Sequence, residues 1–204
     1  DEWSKDKQFL DDILEMLDNV LERFIADAPD SVSRAVYSAE RERSVGVGAL
    51  GFHAYLQRRG MPWESALAKS ANIKMFRHIR RGLDQANLRL GKERGEAPDA
   101  KGTGRRCSHV MAVAPNASSS IIMGNTSPSI EPWRANAYRQ DTLSGAFLNK
   151  NKYLDKLLKE KCEENDSLDY DKLWSSIIAN DGSVQNLRCL SEYEKDIYKT
   201  AMEI

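Results

Sequence analysis

Short apolar runs divided by long stretches of helical periodicity constrain this chain more than any other feature it has. Residues 5–27 carry Phe9, Ile13, Leu17, Val20 and Phe24 at three- and four-residue spacing, and Leu10, Leu14, Leu21 and Ile25 widen the stripe. That period predicts one amphipathic helix, with Ser4 as its N-cap and Pro29 as its stop. A shorter helix is expected over about 31–41, capped by Ser31. In RSVGVGALGFHAYLQRRGMP, residues 43–62, Val45 and Val47 alternate with Gly46 and Gly48 and predict a strand. Phe52, Tyr55 and Leu56 then take helical spacing as far as Gly60 and Pro62. A long helix is predicted over 63–92, with Leu67, Ala71, Met75, Ile79, Leu83, Ala86 and Leu90 on one face. The run CSHVMAVA, residues 107–114, reads as a strand buried on both faces. Residues 135–150 read as extended, with Ser144-Gly145 as the turn. Three more helices are expected at about 150–162, 170–180 and 191–204. Asp169 caps the second of these, Asp181-Gly182 ends it, and Ser191 caps the third. Short apolar strands separated by helices make an α/β pattern.

The charge balance excludes some functions. Thirty Lys and Arg face 31 Asp and Glu, a net charge of −1, so nothing electrostatic favours a nucleic-acid or acidic-membrane partner. No apolar run reaches membrane-spanning length. The start, DEWSKDKQFLDD, is acidic and amphipathic and does not read as a signal peptide. Both ends look cut, and a piece of a longer chain is expected. The three cysteines, Cys107, Cys162 and Cys189, are far apart and form no CxxC, and there are only three histidines. Neither a zinc site nor a disulfide framework is expected, and a reducing cytoplasm is the default compartment.

Two motifs have stronger bland readings than functional ones. Gly46, Gly48 and Gly51 fit G-x-G-x-x-G, but no full βαβ unit follows and no strand ends in an acidic residue about 20 residues on. Close backbone packing is the better account of these glycines. Arg77, His78, Arg80 and Arg81 form a basic patch that reads as a solvated face, because a phosphate patch would want aromatic or glycine-rich company, read here as missing. Residues 91–105, GKERGEAPDAKGTGR, are expected to form a mobile loop.

The chemistry concentrates in VAPNASSSIIMGNTSPSIEP, residues 113–132. A strand ending at Pro115 and a helix beginning near Ser118 would leave the first N–H groups of that helix without internal partners, backed by the positive end of its dipole. Asn116, Ser118, Ser119 and Ser120 add short hydrogen-bonding side chains, and phosphate is the usual guest of such a pocket. Asn and Ser also cap helices for stability alone, and these residues by themselves do not choose between the two readings. Glu131 reads as a surface glutamate rather than a shifted acid.

The run APNASSSIIMGNTSPSIEPWRANAYRQDTLSG, residues 114–145, resembles the large subunit of class I ribonucleotide reductase, in particular the form carried by large DNA bacteriophages and their relatives. RSVGVGALGFHAYL, residues 43–56, is similar to an upstream strand-and-helix segment of the same family. The resemblance implies part of a ten-stranded α/β barrel, here a helix-rich fragment. It implies helices over 1–42, strand–helix units with a phosphate loop over 43–134, and a hairpin with C-terminal helices over 135–204. The implied activity is reduction of ribonucleoside diphosphates to deoxyribonucleoside diphosphates by radical chemistry. Its substrate diphosphate would lie on Pro115, Asn116, Ala117, Ser118, Ser119 and Ser120, held through backbone amides. Many family members carry Glu where Ala117 stands and Thr where Ser118 stands, so a side-chain contact is lost at Ala117.

The family's radical-bearing cysteine lies in an Asn-x-Cys-x-Glu pattern, which is absent here. Cys107, Cys162, Cys189, His53, His78 and His109 match no catalytic position; Cys107 reads as a small buried apolar residue, and His109 as a satisfied core or rim histidine. No catalytic residue, metal or cofactor is therefore assigned to this chain, which is not expected to turn over substrate alone. The resemblance implies a separate small subunit that generates the radical at a di-iron or related metal site, a thioredoxin- or glutaredoxin-type reductant, and the remainder of the large subunit as partners. No membrane or direct nucleic-acid partner is implied, and the location is cytoplasmic, in the host if phage-encoded. Two alternatives stand beside this: a cobalamin-dependent reductase of the same superfamily, and a non-catalytic split-gene module acting only by assembly.

Overall fold

The computed structural model describes Lys5, Asp6 and residues 8–204, Thr142 without its side chain. The chain folds into two compact units, one built from residues up to Gly48 together with 72–114, the other from 49–71 together with 115–204.

In the first unit, helix α1 (Phe9–Asp27) and the 72–94 portion of α4 (Ala66–Arg94) bury Leu10 and Leu14 against Leu83, Ala86 and Leu90. The helices approach closely at Gly82, where a Cβ would come within 2.5 Å of Leu10. The N-terminal donors of α1 are met by Asp6, whose carboxylate accepts the N–H of Gln8 at 2.9 Å and of Phe9 at 3.1 Å; Ser4 lies outside the described residues. Helix α2 (Ser33–Glu42) starts later than expected, because Ser31 belongs to a 3₁₀ turn over Asp30–Val32 and caps nothing. The stripe on α4 holds at Met75, Leu83, Ala86 and Leu90, but Leu67 at its start is 60% exposed.

The two apolar runs pair in parallel. Val45 N–H donates to His109 O, Val47 N–H to Val110 O, and Ala112 N–H to Val47 O. Gly46 and Gly48 permit this approach, since a Cβ at either would lie 2.8 Å from Ala112 Cβ or 2.4 Å from Ala112 O. The glycines thus serve packing, as their pattern suggested. Burial on both faces does not hold for 107–114: His109, Ala112 and Val113 are exposed, and the backbone bonds of the run go to 45–47 and, from Ser108 N–H, to Glu42 O at 2.9 Å. Asn87 extends that pairing, its side chain accepting Cys107 N–H at 2.7 Å and donating to Cys107 O at 2.9 Å.

Asp18, fully buried, binds Arg43 at 2.7 Å, Arg94 at 2.8 Å and Arg106 at 3.0 Å. Burial alone would raise its pKa, but bonds to Arg43 and Arg94 and the charges of Arg43 and Arg106 hold it below the usual carboxylate value. Of the loop expected over 91–105, residues 91–94 continue α4, and in the remainder Glu96 accepts the N–H groups of Gly102 and Gly104.

In the second unit, α6 (Lys152–Glu164) and α7 (Tyr170–Ala179) enclose a core of Leu154, Leu158, Trp174 and Ile177, joined by Val184, Leu187, Leu190, Ile197 and Tyr198. Strands β1 (Ala137–Thr142) and β2 (Gly145–Lys150) form an antiparallel hairpin with Leu143 and Ser144 at its tip. The capping expectations are met: Asp169 accepts the N–H groups of Asp171 and Lys172, and Ser191 forms a capping box with Glu194. Asp181 and Gly182 both take positive φ after α7. The last helix, α8 (Glu192–Ile197), is shorter than the predicted span, ending in turns. No described helix is long and apolar enough to cross a membrane.

Candidate phosphate-binding loop

The loop begins at Pro115, which is exposed and has no N–H to donate. Asn116 follows in the left-handed region, φ 53°, a conformation Asn tolerates better than most residues. It turns the chain into α5 (Ala117–Ile122), one residue earlier than expected. Ser120 is spent inside this turn: its N–H donates to Asn116 O at 2.9 Å and its hydroxyl to Ala117 O at 2.7 Å, and it is buried. Among the described residues the N–H groups of Ala117, Ser118 and Ser119 meet no protein acceptor, and all three residues are exposed. Free donors therefore come from three consecutive peptide groups, not from the whole run 115–120.

A cavity of about 800 Å³ borders α5, lined by Ala117, Ser120 and Ile121 together with Thr126, Trp133, Arg134, Tyr138 and Arg139. The Tyr138 hydroxyl donates to Asn125 Oδ1 at 2.7 Å and fixes one wall. The side chain of Ala117 is only a methyl group, so any hydrogen bond from this residue comes from its backbone.

What holds the loop was not legible from the serine cluster. The first turn of α3 (Phe52–Arg58) grips residues 127–133. Gly51 N–H donates to Ser127 O at 2.8 Å, Phe52 N–H to Ser129 O at 3.3 Å, and Ala54 N–H to Ser127 Oγ at 3.1 Å. Gly51 has φ 81°, and a Cβ there would lie 2.6 Å from Thr126 Oγ1. The positive-φ glycine, read in the sequence only as part of a packing triplet, is the signal that would have found this contact.

His53 completes the grip. Its Nδ1 accepts Trp133 N–H at 2.9 Å, and its ring faces Ile197 O on the other side. It is 1% exposed, and burial pushes its pKa down to about 4, so the ring is neutral. Gln57, Asn151 and Asn136 continue the buried network: Asn151 donates to Gln57 and to Asn136, and Asn136 donates to the carbonyls of Gly182 and Tyr198. These amides tie α3, α6 and the segment before β1 into one framework behind the loop.

The other singled-out residues carry no chemistry at this site. Cys107 is buried and its thiol is pushed up to about 11, while Cys162 and Cys189 are half-buried free thiols, that of Cys189 raised by burial. His109 is exposed at the rim, near the hydroxyls of Ser44 and Ser108. Glu131 is exposed. No group of three or more metal-ligating side chains occurs among the described residues. The basic patch does have aromatic company, contrary to expectation, because Phe76 lies beside Arg77, Arg80 and Arg81 along one groove.

Comparison with known proteins places this geometry in context. The family model described as the ribonucleotide reductase barrel domain matches residues 2–103 and 97–204. A ribonucleoside-diphosphate reductase large subunit of Invertebrate iridescent virus 6 is 54% identical over 206 residues, covering 100% of this chain and 21% of that protein. The corresponding large subunit of Invertebrate iridescent virus 3 is 53% identical over 204 residues, covering 100% and 32%. The solved class Id ribonucleotide reductase alpha subunit of Actinobacillus ureae superposes with a TM-score of 0.88 at 37% identity, over 100% of this chain and 36% of that one. The chain thus spans between 21% and 36% of the length of these relatives.

Proposed function

Because this chain belongs to the ribonucleotide reductase family, through the barrel domain matched along its length, we propose that it is part of a ribonucleoside-diphosphate reductase large subunit and supplies its substrate diphosphate site. The observation that carries the reading is the set of three unpaired N–H groups at Ala117, Ser118 and Ser119, at the start of a helix that borders a cavity. Backbone donors aimed at an anion need no lysine and cost no side-chain entropy. The short helix adds only a weak dipole, so the amides themselves do most of the binding. Asn116 sets their direction through its left-handed backbone, and α3 holds the following segment at Ser127, Ser129 and Trp133.

Reduction at the sugar needs a radical and a pair of reducing thiols. Those come from other parts of the enzyme: a separate metal-containing small subunit, further cysteines of the large subunit, and a thioredoxin- or glutaredoxin-type reductant. Cys107, with its thiol pushed up to about 11, is not a thiolate at neutral pH and suits structure, not electron transfer. The role of this chain is to bind and orient. It fixes the phosphates so that the ribose is presented to groups elsewhere in the subunit.

Calorimetric titration with a ribonucleoside diphosphate tests this. Ser119→Pro removes one free donor, and a hydrogen bond to a charged group contributes about 1.5–3 kcal/mol, so affinity should fall roughly ten- to hundredfold. Preference among bases should stay the same. Unchanged affinity in a variant with unchanged melting temperature would refute the assignment.

A further inference from the structure

One face of α4 is unusually cationic for a chain with a net charge of −1. Lys74, Arg77, Arg80 and Arg81 are all exposed along it. Arg80 is paired with Asp84 at 2.7 Å, whereas Arg77 and Arg81 have no ion pair among the described residues. Like charges four residues apart on a helix disfavour it, and a partner of opposite charge relieves that cost. The same face borders a shallow groove of about 690 Å³ whose floor is Ile73, Phe76 and Met111. Ile73 is 39% exposed, so an apolar strip is open to solvent between the arginines. The groove follows α4 from Asn72 to Arg81, about 14 Å at about 1.5 Å per residue.

We propose that this groove seats an acidic amphipathic helix, contributed by the part of the large subunit outside these 204 residues, with apolar side chains on Ile73, Phe76 and Met111 and carboxylates on Arg77 and Arg81. The inference rests on reading the chain as part of a longer large subunit, since the relatives extend well beyond the portion it matches. A mononucleotide fits less well. The floor side chains of Ile73, Phe76 and Met111 are apolar, the one neutral polar side chain of the lining is Asn72 at the end of the groove, and the groove is long and open, the shape that helix-in-groove docking uses. A second copy of the chain is the main competitor, because α1 exposes Phe9, Met16 and Val20 beside Asp12.

The test uses a fluorescent 18-residue amphipathic helical peptide with Leu on one face and Glu pairs four apart beside it, and a counterpart with Lys for every Glu. Anisotropy should show saturable, salt-sensitive binding of the Glu peptide to the 204-residue chain. Arg77→Glu/Arg81→Glu, with its fold checked by circular dichroism, should weaken that binding at least tenfold and favour the Lys peptide. The complete large subunit should not bind the Glu peptide, because its own helix fills the groove. No binding to the chain, equal binding of both peptides, or displacement by ADP would overturn the proposal. So would self-association of the chain that the double substitution abolishes, or equal peptide binding by the complete subunit. Diphosphate titration of the same chain separates the two readings: peptide binding without diphosphate binding keeps the groove and removes the phosphate loop, and the reverse keeps the loop and removes the groove.

Discussion

Acidification should destabilise the second unit through one histidine. His53 is 1% exposed and its pKa is pushed down from the ordinary 6.5 to about 4, mainly by burial. In the unfolded chain the ring protonates as the pH drops through the usual value, while in the folded chain it stays neutral until much lower pH. The unfolded state therefore binds more protons in that interval, and stability declines as the pH falls from 6.5 toward 4. At about 1.4 kcal/mol per unit, the full loss is about 3 kcal/mol, of which about 2 kcal/mol is gone by a pH of about 5. The structural cause is specific. A protonated Nδ1 can no longer accept the N–H of Trp133, which sits on the wall of the cavity beside α5. Urea denaturation followed by tryptophan fluorescence at several pH values between 7 and 4.5 measures the slope. His53→Asn keeps an acceptor near the Nδ1 position but cannot be charged, so its stability should be nearly flat over the same interval. A flat profile for the unsubstituted chain, or an equal slope in the variant, would refute the reasoning.

Three further outcomes are expected. Gly51→Ala places a Cβ against Thr126 Oγ1 at a φ of 81°, so it should destabilise the second unit by about 1–3 kcal/mol in thermal melts and weaken diphosphate binding. Asp18→Asn leaves Arg43, Arg94 and Arg106 without their shared carboxylate, and should cost the first unit about 3–5 kcal/mol in denaturant titrations. Iodoacetamide at about pH 8 should modify Cys162 and Cys189 while Cys107, fully buried with its thiol pushed up to about 11, remains unmodified by mass spectrometry until the chain unfolds.

The sequence conveyed what depends on local chemistry. The span of α1, the caps at Asp169 and Ser191, the hairpin around Ser144 and the packing role of Gly46 and Gly48 were readable, because each is decided within a few residues or by the absence of a side chain. The buried face of α1 was not, since Leu10 and Leu14 are buried while Phe9, Val20 and Phe24 of the expected stripe are exposed. Features decided by distant partners were not. Ser31 has the right chemistry for a cap, but a 3₁₀ turn places Val32 at the helix start instead. Leu67 has the right period, but at the start of α4 it is left exposed. In the candidate site, the start of α5 was legible to within one residue from Asn116 and the serines. The withdrawal of Ser120 into the helix was not, nor was the support from Gly51, His53 and Ala54, about 75 residues earlier in the chain. Phe76 was in plain view beside Arg77, yet only the fold shows that Met111 joins it to form a groove.

The most direct test of the phosphate-loop account is a titration of the ¹⁵N-labelled chain with a ribonucleoside diphosphate, followed by amide resonances. The backbone amides of Ala117, Ser118 and Ser119 should move together and saturate at one dissociation constant, while the Ser120 amide, already bonded to Asn116 O, should move far less. Saturable nucleotide binding that leaves those three resonances in place would contradict the account.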